Sequence, residues 1–138
     1  MTNFKPYLHV ERLENDECEG LLQNDVVYVT AKIDGTNACI WRAADGHICA
    51  GSRKRELNHN KDNADFYSWL MTDLDEPSKL CQLAAKHPTW IIYGEWMGLD
   101  KFIGSIKTYD QKAQGHMYIF DVFDTETLEY LPDDVWRI

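Results

Sequence analysis

The chain has 138 residues, 44% hydrophobic and 27% charged, with a formal net charge of −9. That size and balance suit one soluble domain with a real core and exclude wholesale disorder. A uniformly acidic surface repels nucleic acid, so any polyanion would have to be met by a local basic patch.

The opening "MTNFKPYLHVERLEND" lacks the apolar run of a signal peptide, and no stretch approaches a membrane span. A cytoplasmic protein without membrane attachment is expected, with residues 1–138 forming a single domain. Cys18, Cys39, Cys49 and Cys81 show no CxxC spacing, which points to buried free thiols rather than zinc or disulfides.

Next comes "VVYVTAKI". Val27, Val29, Ala31 and Ile33 alternate with Tyr28, Thr30 and Lys32, the period of a half-buried strand with Lys32 on the face opposite the apolar set. "ACIWRAADGHICAGS" reads as a hairpin closed by a two-residue Asp45-Gly46 turn. "NADFYSWLMTDL" places Phe66, Trp69, Leu70 and Leu74 at helical spacing. A second helix is expected after Pro77-Ser78, with Leu80, Leu83 and Ala84 inward, ending at His87-Pro88.

"TWIIYGEW" and "MYIFDVFD" read as strands separated by a loop from Gly98 to Gly115. "TLEYL" adds a short strand, and "LPDDVWRI" opens a helix with Pro132 early and acids in its first turn. Hairpins mixed with helices imply an α+β domain of mostly antiparallel sheet.

Four stretches could carry chemistry. In Lys32-Ile33-Asp34-Gly35-Thr36-Asn37, a lysine precedes a tight turn. Lysine is a nucleophile only as the neutral amine, and its ordinary pKa of about 10.4 must be lowered by desolvation or a nearby cation. Gly35 lets the backbone turn and approach closely, with Asp34 and Asn37 offering an acceptor and a donor. Within "GSRKREL", Arg53, Lys54 and Arg55 form the densest basic run, and Arg53 could grip phosphate through its fork of donors.

"IIYGEWMG" sets Glu95 in an apolar strand, where a carboxylate needs a partner, a metal or a ribose hydroxyl. "MYIFDVFD" offers Tyr118, Phe120 and Asp124 on one face, with Ile119, Asp121 and Phe123 on the other. An aromatic ring lining a cleft would be a platform for a purine base.

In that order the four stretches resemble the covalent nucleotidyltransferase superfamily, most closely the ATP-dependent RNA ligases related to the phage T4 type 2 enzyme. KIDGTN is similar to the family's nucleotidyl-transfer motif, SRKREL to its next, YGEWMG to its third and IFDVFD to the adjoining aromatic one. The resemblance runs from about Asp25 to Asp124. It implies a nucleotidyltransferase (ATP-grasp-like) core of antiparallel sheets with flanking helices.

It further implies ATP and Mg²⁺ as cofactors and RNA or other polynucleotide ends as partners. Lys32 would attack the α-phosphate of ATP to give a lysyl-adenylate, and the AMP would then pass to a 5′-phosphate end for strand joining. Asn37 and Arg53 would contact the nucleotide or its phosphates, Glu95 the ribose, and Phe120 the adenine. Asp34 and Gly35 belong to the same nucleotide-binding turn. No metal ligand is assigned.

Two departures accompany the resemblance. Ala31 stands where many relatives carry an acid. The family's later motifs, a metal-binding acidic strand and a closing Lys-x-Lys, have no counterpart after Phe123. The expectation is therefore a C-terminally incomplete domain, weak or inactive alone, its missing motifs supplied elsewhere. A DNA ligase, a capping-type nucleotidyltransferase and a non-catalytic nucleotide- or RNA-binding fragment are the alternatives.

Overall fold

The structure is a computed structural model that describes residues 3–23, 26–101, 103–104 and 109–137. Ile138 and several residues of the loop expected between Gly98 and Gly115 lie outside the described residues.

β1 (Thr36–Arg42) buries Ala38 to Trp41 without a break. Such a continuous apolar run belongs to a strand covered on both faces. β1 is accordingly central in a six-stranded sheet of order β3-β2-β1-β4-β5-β6, in which every neighbouring pair is antiparallel. The other strands are β2 (Ile48–Ser52), β3 (Glu56–Leu57), β4 (Trp90–Trp96), β5 (Met117–Asp124) and β6 (Glu129–Tyr130). The expected antiparallel α+β class holds, and the two-residue β3 is an addition.

α1 (Phe66–Leu70) and α2 (Asp75–Lys86) cover one face of the sheet. Phe66, Trp69 and Leu80 pack there with Ile40, Ile92, Trp96 and Val122. Leu80 and Ala84 are buried on the inner face of α2 as its spacing predicts, and Leu83 is partly buried against them. α2 starts two positions before Pro77 rather than after it. A proline in the first turn removes an N–H that would have no partner there anyway.

α1 is shorter than its periodicity suggests. Thr72 Oγ1 donates to the Trp69 carbonyl at 2.7 Å, the chain turns, and Leu74 becomes the exposed cap of α2. α3 (Asp133–Trp136) follows Pro132 as expected.

The opposite face carries Cys39, Trp41, Cys49, Ile91, Tyr93 and Phe123. Among the described residues no helix packs on it. It is covered instead by the N-terminal segment, through Phe4 and Tyr7.

The hairpin turn differs from the two-residue form. Ala43 N–H donates to the His47 carbonyl and Gly46 N–H to the Ala43 carbonyl, both at 2.9 Å, so the loop spans 44–46. Gly46 takes φ +94° while Asp45 does not have a positive φ. Asp45 instead accepts from His47 N–H at 3.1 Å, a local bond that holds the ordinary right-handed turn.

"VVYVTAKI" is not a strand: residues 26–34 run without ladder bonds, and Tyr28 and Val29 are exposed. Alternation marks what a strand would bury but supplies no partner. Both edges of β1 are taken by β2 and β4, and no described strand pairs with this stretch.

The simple alternation expected in β5 also fails. Tyr93 faces Asp121 and Gly94 faces Ile119, which leaves Phe120 as an extra residue in a bulge. A bulge moves the residues beyond it to the other face. Phe120 and Phe123 therefore pack on the strap side, with Ile119 and Val122 on the helix side.

Candidate active site

The site grows from the end of the sheet where β1 begins and β4 finishes. Asn37 stands opposite Glu95, and Glu95 opposite Tyr118. Directly paired residues share a face, as do residues two apart on one strand. Asn37, Glu95, Tyr118 and Phe120 therefore line one strip on the face away from the helices.

Glu95 is half-buried, and its carboxyl is held above the ordinary value, chiefly by burial. Lys32 and Arg53 pull it back down, and the Asp34 carboxylate pushes it up. Three groups from two parts of the chain thus act on one carboxyl. Lys32 itself is exposed and lies off any strand, so the expected placement on a half-buried strand is not met. Arg53 is exposed just beyond β2.

The Asn37 Oδ1 atom is buried and has no hydrogen-bond partner among the described residues. Leaving a buried acceptor unsatisfied costs about 1–3 kcal/mol. Such an atom calls for a donor that the protein does not provide.

The turn before Asn37 is rigid for identifiable reasons. A methyl group on Gly35 would collide with the Trp96 carbonyl oxygen and come within 2.9 Å of the Met97 sulfur, so its missing side chain seats the turn on β4. Asp34 N–H donates to Tyr109 Oη at 3.0 Å. Asn63 Nδ2 donates to Thr36 Oγ1 at 3.0 Å, tying the loop after β3 to the first residue of β1.

Sequence reasoning missed what stands behind Phe120. Tyr7 meets it edge-on, with ring centroids 4.9 Å apart at 75°, and Tyr7 Oη donates to Asp121 Oδ2 at 2.8 Å. Only the aromatic pair Phe4 and Tyr7 in a polar opening segment hinted at it. Asp121, which lacked an evident partner in sequence, finds one there.

Among the described residues no group of three or more His, Cys, Asp or Glu could hold a metal ion. The Asp34 and Glu95 carboxylates nevertheless act on one another, with Lys32 and Arg53 acting on Glu95 as well. That set fits Mg²⁺ carried in on a polyphosphate, which commonly uses one or two protein carboxylates and keeps its other ligands as phosphate and water.

The cysteines stand apart from this chemistry. Burial pushes the Cys39 thiol up to about 12 and that of Cys49 up to about 11, and all four are free thiols, as expected. A cavity of about 390 Å³ bounded by Phe4, Trp41, His47, Cys49 and Glu56 includes none of the strip residues.

A family model described as RNA ligase matches residues 25–138. The chain belongs to the RNA ligase family. The fold is similar to that of a Naegleria gruberi RNA ligase solved with PPi, at TM-score 0.57 and 22% identity over 78% of this chain. A variant of that ligase solved with ATP and Mn matches at TM-score 0.56 and 20% identity over 78% of this chain. An archaeal ATP-dependent RNA ligase matches at TM-score 0.53 and 23% identity over 77%. The chain spans 29% of the two Naegleria chains and 26% of the archaeal one. No curated protein matches it. Among the described residues no helix is long and apolar enough to cross a membrane.

Proposed function

We propose that the chain is the nucleotide-binding part of an ATP-dependent RNA ligase, with 1–138 a single, partial adenylyltransferase domain. The observation that carries this reading is the pairing of Asn37, with its unsatisfied buried acceptor, opposite Glu95, whose carboxyl Lys32 and Arg53 stabilise in its charged form. Family membership and a related ligase solved with ATP and Mn support it.

In the proposed reaction the neutral Lys32 amine attacks the α-phosphorus of ATP. A nitrogen–phosphorus bond forms, the bond to the bridging oxygen breaks, and pyrophosphate leaves with the electron pair while the amine gives up a proton. Arg53 holds phosphate, Asn37 and Glu95 take donors from the nucleoside, and Phe120 stacks on the base. Asp34 and Glu95 are the carboxylates that would hold a Mg²⁺ arriving with the ATP, and the ion would supply positive charge to the phosphates. The AMP then passes to the 5′-phosphate of an RNA end, and a 3′-hydroxyl displaces it to seal the strand.

The sequence offers no counterpart of the family's later metal-binding and lysine motifs. Charge stabilisation on the phosphates is then incomplete, and the chain alone works slowly.

Intact mass after mixing with ATP and Mg²⁺ is the test. The expected result is a gain of one AMP that disappears in Lys32→Ala. An adduct with GTP instead would indicate a capping-type enzyme. ATP binding with no adduct, unchanged in Lys32→Ala, would leave a non-catalytic nucleotide-binding fragment.

A further inference from the structure

We propose that Tyr7, in the N-terminal strap, is a positioning residue that sets the Phe120 ring for base stacking. The inference rests on the stacking role proposed above for Phe120 and extends it to a segment outside every motif of the sequence.

Phe120 needs such help because of where it sits. As the extra residue of a bulge it has no partner on β4, so the strand ladder does not fix its direction. A bulged position is a place where a fold re-aims a side chain, and the aim has to be held by packing. Among its described aromatic contacts, the one that holds the ring is Tyr7, edge-on at 4.9 Å. The edge-to-face arrangement presents the positive ring edge of one residue to the negative face of the other.

Tyr7 is itself held from several sides. Its hydroxyl donates to Asp121, the residue directly after Phe120, so one side chain grips two successive residues of the bulge. Its ring also meets Tyr93 at 5.1 Å and Tyr130 at 5.5 Å. The strap around it is pinned: Tyr93 Oη donates to the Lys5 carbonyl at 2.5 Å, Leu8 N–H donates to Tyr130 Oη at 3.3 Å, and the Lys5 ammonium lies 4.2 Å from the centre of the Phe123 ring.

The division of the face explains why the strap stops there. It packs on Trp41, Tyr93 and Phe123, with Phe120 at the edge of that apolar cluster and Asn37 and Glu95 beyond it. A base arriving beside Asn37 and Glu95 meets a ring already backed by protein, and little of its binding energy goes into ordering that ring.

The test is a double-mutant cycle on ATP affinity, read by calorimetry on the full chain. Tyr7→Leu should weaken ATP binding about tenfold with Phe120 present and less than about twofold in the Phe120→Leu background, as expected when two residues act through one contact. Tyr7→Phe keeps the ring edge and loses only the hydroxyl, so it should weaken ATP about threefold, again only with Phe120 present. This milder variant carries the test if Tyr7→Leu fails to fold.

Equal factors in both backgrounds would mean that Tyr7 serves the fold alone, and would overturn the proposal. So would unchanged ATP affinity in the Tyr7 variants beside a weakened Phe120→Leu. Affinity unchanged by Phe120→Leu itself would remove the stacking reading, a failure distinct from the other two.

Discussion

One face of the sheet has two ends built on opposite principles. At the hairpin end, Trp41, Tyr93 and Phe123 lie under the strap, whose Tyr7 hydroxyl donates to Asp121 and whose Lys5 carbonyl accepts from the Tyr93 hydroxyl. At the other end stand Asn37 and Glu95, one with an unsatisfied buried acceptor and the other with a carboxyl disfavoured by burial. The same strands run through both. What changes is the cover, and the contrast teaches that the polar end is left unfinished by the protein for something else to complete. Substitutions at the covered end should therefore cost stability, and at the open end they should cost binding while sparing or improving stability.

The largest expected effect tests the covered end. Trp41→Ala removes a side chain only 1% exposed that packs on Phe4 at 5.9 Å. Urea unfolding should show a loss of about 3–5 kcal/mol. A loss under 1 kcal/mol would mean that the strap is not a true cover and that the contrast is wrong.

Asn37→Leu should act the other way, with a smaller magnitude. Replacing an unsatisfied buried acceptor by an apolar group of similar size removes a desolvation cost, so stability should rise by up to about 1 kcal/mol. ATP affinity should fall in the same variant. A destabilised protein with normal ATP affinity would show that Asn37 is a structural residue.

Much of this arrangement was legible in the sequence, for reasons that separate what was read from what was missed. β4 and β5 carry long apolar runs, and α2 a repeating inner face through Leu80 and Ala84, so local pattern and tertiary burial agree. The hairpin was legible from Asp45-Gly46, although the Asp45 bond to His47 N–H selected a longer loop. "VVYVTAKI" misled because alternation reports a capacity to be buried, and pairing depends on a neighbour that local sequence does not specify.

For the site, the four motifs announced Lys32, Arg53, Glu95 and Phe120 individually. Their meeting came from register, Asn37 opposite Glu95 and Glu95 opposite Tyr118, which no single stretch contains. Tyr7 was nearly invisible because its partners are far off in the chain, as Asp121 is at a separation of 114.

The smallest effect concerns Glu95 and gives the sharpest test of the open end. Burial raises its carboxyl pKa above the unfolded value, with Lys32 and Arg53 opposing only in part. Between the ordinary glutamate value of about 4.3 and the raised folded value, the folded state binds more protons than the unfolded one. Stability then falls as pH rises through that window, and the penalty is fully present above it. Glu95→Gln should remove this slope and leave the protein slightly more stable at neutral pH.

Asp121 is also raised by burial, but it slopes the same way in both proteins and cancels in their difference. If ATP brings the donor that Glu95 and Asn37 lack, saturating ATP should flatten the wild-type slope and leave Glu95→Gln unaffected. Equal slopes in the wild type and Glu95→Gln would place the titration elsewhere, and the open end would lose its claim to be held ready for a ligand.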